Sequence, residues 1–268
     1  MLMRRPGRWL AGSFGVAFLG TLGALEWRRQ ARPLTPMLPV DGGIAVSPTA
    51  ELPSLDRPAD FAAFHEKLRA YYFAMDDRYH ALQHRRTQKT IQQDGAGTVL
   101  AEEELVETVR FGAGLEAHRP LRTKNLQTGQ AIQGESAVQK DMAVGNAPFV
   151  YPYARAEKPG DFAYSFAGFE SLDGHALAKV EFVAQPPLGR KLSGQIWADP
   201  TTGEPHRFRA KWPAPAFPCD HLEMVVEYGL AETGRKQIQR VATDAGGGFA
   251  FVRRRYLVTI AFDDYRMP

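Results

Sequence analysis

The chain has 268 residues, 44% of them hydrophobic, with 33 basic and 30 acidic side chains spread along its whole length. That is enough apolar material for one good core, and a formal net charge of +3 with no basic arm argues against nucleic acid as a partner. The single cysteine, Cys219, excludes an intramolecular disulfide and lies far from any N-terminal lipid-attachment position.

Arg4, Arg5 and Arg8 precede an uncharged apolar run from Trp9 to Leu25, the order of a secretory leader. Residues 1–25 are therefore expected to be a signal peptide, or an N-terminal anchor in the inner membrane, and the protein to be exported to the periplasm. Thr21-Leu22-Gly23 offers small outer residues for cleavage, while Arg28, Arg29 and Arg32 follow the run and leave its orientation open. Residues 26–56, with Pro33, Pro36, Pro39, Pro48, Pro53 and Gly42-Gly43, read as an extended linker. The folded domain is expected over 57–268.

A helix is predicted next, with Asp56 as N-cap, Pro58 in its first turn, and Phe61, Phe64, Leu68, Tyr71, Tyr72 and Met75 on one face. Such a helix either packs on a sheet or serves as a plug or lid over an apolar cavity. Tyr79 to Gln93, the turn Asp94-Gly95-Ala96-Gly97, and Thr98 to Phe111 read as a long polar hairpin in an outer or edge position. A helix continuing through Tyr79 to Thr90 competes with that reading. His80 and His84 share a face only in the helical case, and with no third ligand or HExxH spacing they read as structural or surface residues. Glu102-Glu103-Glu104 reads as a solvated run. From Gly112 to Pro159 no period survives, and Val138 to Phe149 reads as a short helix or a crossing loop.

The pattern then sharpens. Phe162, Tyr164 and Phe166 alternate, Leu172-Asp173-Gly174 turns, and Ala176, Ala178, Val180 and Phe182 return. A hairpin follows from Lys191–Ala198 through Asp199-Pro200-Thr201-Thr202-Gly203 to Glu204–Trp212. Leu222, Met224, Val226 and Tyr228 alternate again, as do Tyr256, Val258, Ile260 and Phe262 after Gly246-Gly247-Gly248. That triplet reads as a tight connection rather than a phosphate cradle, because no helix follows it. Arg253-Arg254-Arg255 alternates between faces and reads as a solvated edge or rim. Cys219, next to Asp220 and near His221 in an extended segment, reads as a buried or inert thiol.

Four stretches carry a resemblance: Leu172-Asp173-Gly174-His175 before a strand, Gly194-Gln195-Ile196-Trp197-Ala198-Asp199 leading to Thr202-Gly203, Val225-Val226-Glu227-Tyr228, and the closing Phe262-Asp263-Asp264-Tyr265. In this order they resemble the LolA-like superfamily of exported bacterial envelope proteins, which includes outer-membrane lipoprotein-sorting factors. The resemblance implies a mainly antiparallel β (α+β) fold, a strongly curved sheet or incomplete barrel with a few helices over its concave face. It further implies an apolar cavity that receives acyl chains, hence a lipid or an acylated polypeptide as ligand. The expected lining is Phe162, Tyr164, Phe166, Ile196, Phe208, Met224, Val226, Val258 and Ile260, with Met75 and Met224 as adaptable members. Simple sheet–helix core is the other reading of the same residues.

No Gly-x-Ser-x-Gly occurs and the seven histidines are scattered, so no enzyme, catalytic residue, metal or cofactor is expected. The alternative function is a membrane-anchored envelope interaction or sensor protein on the same scaffold, with an inner-membrane partner.

Overall fold

A computed structural model describes residues 53–112, 115–133, 152–154, 157–186, 192–212, 219–231, 234–249 and 252–266. The leader, most of the linker and the Val138 to Phe149 segment lie outside the described residues. Those described form one helix, α1 (Pro58–Ala81), and ten strands: β1 (Gln83–Asp94), β2 (Val99–Gly112), β3 (Leu115–Asn125), β4 (Phe162–Leu172), β5 (His175–Ala184), β6 (Ser193–Ala198), β7 (Pro205–Trp212), β8 (Cys219–Leu230), β9 (Lys236–Phe249) and β10 (Val252–Arg266).

All ten belong to one antiparallel sheet in the order β3-β2-β1-β10-β9-β8-β7-β6-β5-β4. Every neighbour is also a neighbour in sequence except one: β1 pairs with β10 along its whole length. The sheet is curved and open, with β3 and β4 as its edges, and α1 is the one helix among the described residues where a few were expected. The alternation expected for β4 to β8 and β10 holds, because one face of these strands packs into the core and the other is largely solvated, with Leu177 and Trp197 as buried exceptions on the outer face. A bulge between Phe166 and Phe169 interrupts β4. Gly168 absorbs it at φ +101, which sets Phe169 opposite Ala178 on the same face as Phe166, the two rings 5.1 Å apart.

Several expectations need correction. Arg57, not Asp56, is the N-cap, with no side-chain cap bond; Pro58 occupies the first helical position, where its missing N–H costs nothing. The helix runs past Met75 to Ala81, so His80 and His84 fall on different elements. The β1–β2 hairpin is not at the edge, because β3 pairs with β2. Gly246-Gly247-Gly248 is not a turn. It lies inside β9, opposite Arg253–Arg255 on β10, and a Cβ on Gly248 would come within 2.2 Å of the Val252 carbonyl oxygen. Arg253–Arg255 therefore sits within the sheet, where Arg255 is buried against Asp244 at 2.8 Å and Arg253 pairs with Asp220. Nor is the glutamate run solvated: Glu103 and Glu104 are buried, and Glu104 is bridged by Arg122 (2.7 Å) and Lys124 (3.3 Å) of β3.

Helix α1 crosses the strands on the concave side, near one end of the sheet. Phe61 meets Phe166 of β4, and Leu68 rides on the β6–β7 turn. Gly203, at φ +74, lies so near the helix that a Cβ there would stand 2.6 Å from the Leu68 nitrogen. Further along, the Tyr72 hydroxyl meets that of Tyr228 on β8 at 3.3 Å, and the Tyr79 ring lies tilted against His84 of β1, 4.9 Å between centroids. Phe64, Leu68, Tyr72 and Met75 join Phe182, Ile196, Phe208, Val226, Val241, Val258 and Ile260 in one buried cluster. Burying a side chain of this size contributes about 1.5–3 kcal/mol.

Candidate functional site: the concave face

Register and alternation place all nine expected lining residues on the concave face. Phe162, Ile196, Phe208, Val226, Val258 and Ile260 are buried in the core, whereas Tyr164, Phe166 and Met224 are half-buried. Tyr164 is held beneath the helix: its ring lies 4.5 Å from His65 and 4.9 Å from Tyr153, and its hydroxyl donates to Glu157 at 2.8 Å. Tyr153 sits at φ +59, unusual for an aromatic residue, and is wedged between Tyr72 and Tyr164. Burial raises the Glu157 carboxyl above its ordinary range, against the bonds it accepts from Tyr164 and the Tyr153 N–H. Burial likewise pushes the Tyr164 phenol up, and the His65 imidazole down.

Beyond the helix the inward face continues in rows that cross the strands. Ile196, Phe208, Val226, Val241 and Ile260 form one row, followed on β1 and β2 by Gln88 and Leu105. The next row, about 7 Å further along the strands, runs Tyr164, Phe182, Gly194, Ala210, Met224, Thr243, Val258, Thr90, Glu103 and Asn125. A third carries Trp212, Leu222, Ala245, Tyr256, Gln92 and Ala101. In the middle row the Phe182 ring fills the space over Gly194, where a Cβ would strike it at 2.6 Å. Leu222 and Met224 of β8, Thr243 of β9, Gln88 and Gln92 of β1 and Ala101 and Leu105 of β2 are only half-buried. They mark a trough outside the helix. The Thr243 hydroxyl is buried there without a hydrogen-bond partner.

The chemistry of the face changes at the β10–β1 joint. Phe262, Ile260, Val258 and Tyr256 stand opposite Arg86, Gln88, Thr90 and Gln92. Within this polar part, Arg86 pairs with Glu107, and His118 Nδ1 lies 3.2 Å from Glu107 and 3.5 Å from Arg86. Burial opposes ionisation of Glu107, but the His118 hydrogen bond and the Arg86 guanidinium outweigh it and hold the carboxyl below its ordinary range. Sequence reading missed these groups and Thr243. β1 is polar on both faces, so its period carries no signal; the inward Glu103, Leu105, Glu107 and Val109 of β2 become legible only once β1 is placed beside β10.

Elsewhere, burial raises the Cys219 thiol, which donates to the His221 carbonyl oxygen at 3.2 Å. The His221 ring turns instead to Asp244, 3.4 Å away. Among the described residues no group of three or more His, Cys, Asp and Glu is disposed to hold a metal. No helix among them is long and apolar enough to cross a membrane.

Solved structures similar to this chain include LolA-superfamily proteins. One, a LolA superfamily protein from Nitrosomonas europaea, is 11% identical with a TM-score of 0.35, over 77% of this chain and 93% of the other. A DUF1329 family protein from Desulfovibrio piger is 11% identical with a TM-score of 0.38, over 75% and 92%. A domain described as an outer membrane lipoprotein-sorting protein, from Vibrio parahaemolyticus, is 10% identical with a TM-score of 0.35, over 75% and 92%. No protein-family model and no curated protein sequence matches the chain.

Proposed function

We propose that this is an exported, non-catalytic protein that binds an apolar ligand, a lipid or the acyl chain of a modified polypeptide, in the trough of its curved sheet. In this reading residues 1–25 are a signal peptide or anchor, 26–56 a tether and 57–268 the binding domain. One observation carries it: the apolar inward face does not stop at α1 but continues to half-buried Leu222 and Met224. Hydrocarbon covering that strip gains about 25 cal/mol for each Å² removed from water, and Met224 can repack around different chains. The absence of catalysis is inferred from the side chains themselves: the thiol of Cys219 is raised by burial, and His221 is committed to Asp244. Native mass spectrometry of protein recovered from its own envelope tests the reading. The expected mass carries a lipid-sized addition, and displacement of a fluorescent fatty acid confirms the site. Protein that arrives empty and binds no such probe would end the proposal.

A second reading, recognition of a polypeptide partner, is favoured by the contrast between the two edge strands. β3 carries Arg119, Arg122 and Lys124 with Pro120, the usual protection of an open edge. β4 carries Glu170 as its one charge and offers its backbone for strand addition on either side of the Gly168 bulge. A photo-crosslinker at Ser165 that captures an extended segment of an envelope protein supports this reading; labelling by solvent alone rejects it.

A further inference from the structure

α1 lies toward the end of the sheet that holds Gly203 and His84, and two neighbouring hairpins close at the opposite end. Residues 95–98 join β1 to β2 there, and β10 opens there with Val252. Asp94 closes the first turn by itself, its carboxylate accepting from the N–H groups of Ala96 and Thr98, both at 2.9 Å. Gly95 of that turn lies against the second hairpin, since a Cβ on it would stand 3.2 Å from the Arg253 Cβ. The two tips form one surface.

That surface is apolar where a hairpin end is ordinarily Gly, Asn or Asp. Val99, Leu100 and Val252 are 41%, 42% and 40% exposed, and Phe249 to Val252 carries no charge in the sequence. A lone exposed valine needs no explanation, but a group of such residues on adjoining tips marks a surface that something else covers. Register puts Val99 on the convex face with Gln93 and Arg255, and Val252 on the concave face with Arg254 and Tyr256. A rigid partner covers one face of a sheet, whereas a fluid interface surrounds a tip from both sides. Cations stand just behind the tips. Arg253 pairs with Asp220. Arg254 donates to the Arg253 carbonyl oxygen at 3.1 Å and has no carboxylate partner among the described residues; Asp94 stands opposite it in register but is held in the turn. Apolar tips backed by an arginine match the layering of a bilayer surface, with hydrocarbon beneath anionic headgroups.

We propose that the folded domain docks on a phospholipid surface through these two tips, with Val99, Leu100 and Val252 at the acyl boundary and Arg254 among the headgroups. This contact is separate from any made by residues 1–25 and does not depend on what the trough binds. Docking in this way leaves half-buried Leu222 and Met224 on the membrane side of α1.

Quenching by brominated lipid tests the proposal on the full chain. A fluorophore is attached at Leu100→Cys, at Val252→Cys or, as the reference at the other end of the sheet, at Leu230→Cys, each with Cys219→Ser; Leu230 is 65% exposed. With vesicles of mixed phosphatidylcholine and phosphatidylglycerol brominated in their acyl chains, the probes at 100 and 252 are expected to be quenched and the probe at 230 to stay bright. Equal quenching at all three positions, or bright tips on a chain that floats with the vesicles, overturns the proposal, because residues 1–25 alone would then make the contact. Tip probes shielded by envelope protein but not by vesicles overturn the lipid assignment in favour of a protein partner. Leu100→Asp and Val252→Asp should each weaken vesicle binding about tenfold, with Leu230→Asp unchanged. Arg254→Gln should reduce the preference for anionic over zwitterionic vesicles about fivefold. Binding that is unchanged in both tip aspartate variants overturns the proposal.

Discussion

The two parts of the concave face share one sheet, one curvature and one ladder of backbone bonds, yet they are filled by opposite means. From β4 to β10 the inward side chains are apolar and α1 seals part of them; on β1 and β2 the inward positions hold Arg86, Thr90, Glu103 and Glu107, each under 10% exposed. Apolar burial stabilises by removing surface from water. Buried charges are tolerated only when they neutralise each other, and their net contribution to stability is small. The difference indicates that the apolar part supplies most of the net stability, while the polar part holds together by mutual neutralisation.

The sharpest break of that comparison is Phe64→Ala, which empties a 2% exposed site between α1 and the sheet. It should cost about 4 kcal/mol in urea unfolding; a cost below 1 kcal/mol would mean the helix is not sealing the apolar part. In the polar part, Glu107→Gln should cost about 3 kcal/mol by leaving Arg86 short of its partner. The paired replacement Arg86→Met with Glu107→Leu should instead stay within about 1 kcal/mol of the parent. A double variant as unstable as the single one would mean that the charges themselves hold this part of the sheet in place.

Two carboxylates then report the contrast by pH. Glu107 is held below its ordinary range, so its contribution is present at neutral pH and fades as pH falls below the ordinary carboxylate range. Glu157, under the helix, is raised by burial. Its ionised form opposes folding, so its cost is present above the raised value and is relieved as pH falls through it. Glu157→Gln should therefore stabilise the protein at pH 7 and lose that advantage in acid, opposite in sign to Glu107→Gln; parallel pH profiles of unfolding would contradict the assignment. The smallest effect is expected from Thr243→Val, which removes an unpartnered hydroxyl from the apolar part and should stabilise the empty protein by about 1 kcal/mol.

Legibility in the sequence followed the same division. Phe162 to Phe166, Ala178 to Phe182 and Tyr256 to Phe262 announce their strands because one face is core and the other water, and the nine expected lining residues accordingly share a face. β9 escaped because its inward and outward positions at Ala242, Thr243, Ala245 and the three glycines are small, leaving room for Arg255, Tyr256 and Leu222 on the neighbouring strands; a central strand so thin reads as a turn. β3 escaped because an edge strand with Pro120 and charges on both faces has no period to find. The buried Arg86–Glu107–His118 group was beyond pattern reading altogether, since burial of charge depends on which strands lie alongside, and the β1–β10 pairing that decides this joins the two ends of the described chain.

That pairing also dictates an order of events. Every other pairing joins strands consecutive in the chain, whereas β1 must keep one edge open until Arg254 to Arg266, the last part of the described chain, has been synthesised. A contact between such distant segments is slow to close, and an open strand edge is where foreign chains attach in the meantime. Loss of the final dozen residues would therefore do more than shorten a strand: it would leave a three-stranded polar ribbon and a larger apolar sheet joined chiefly by the contacts of α1 with each.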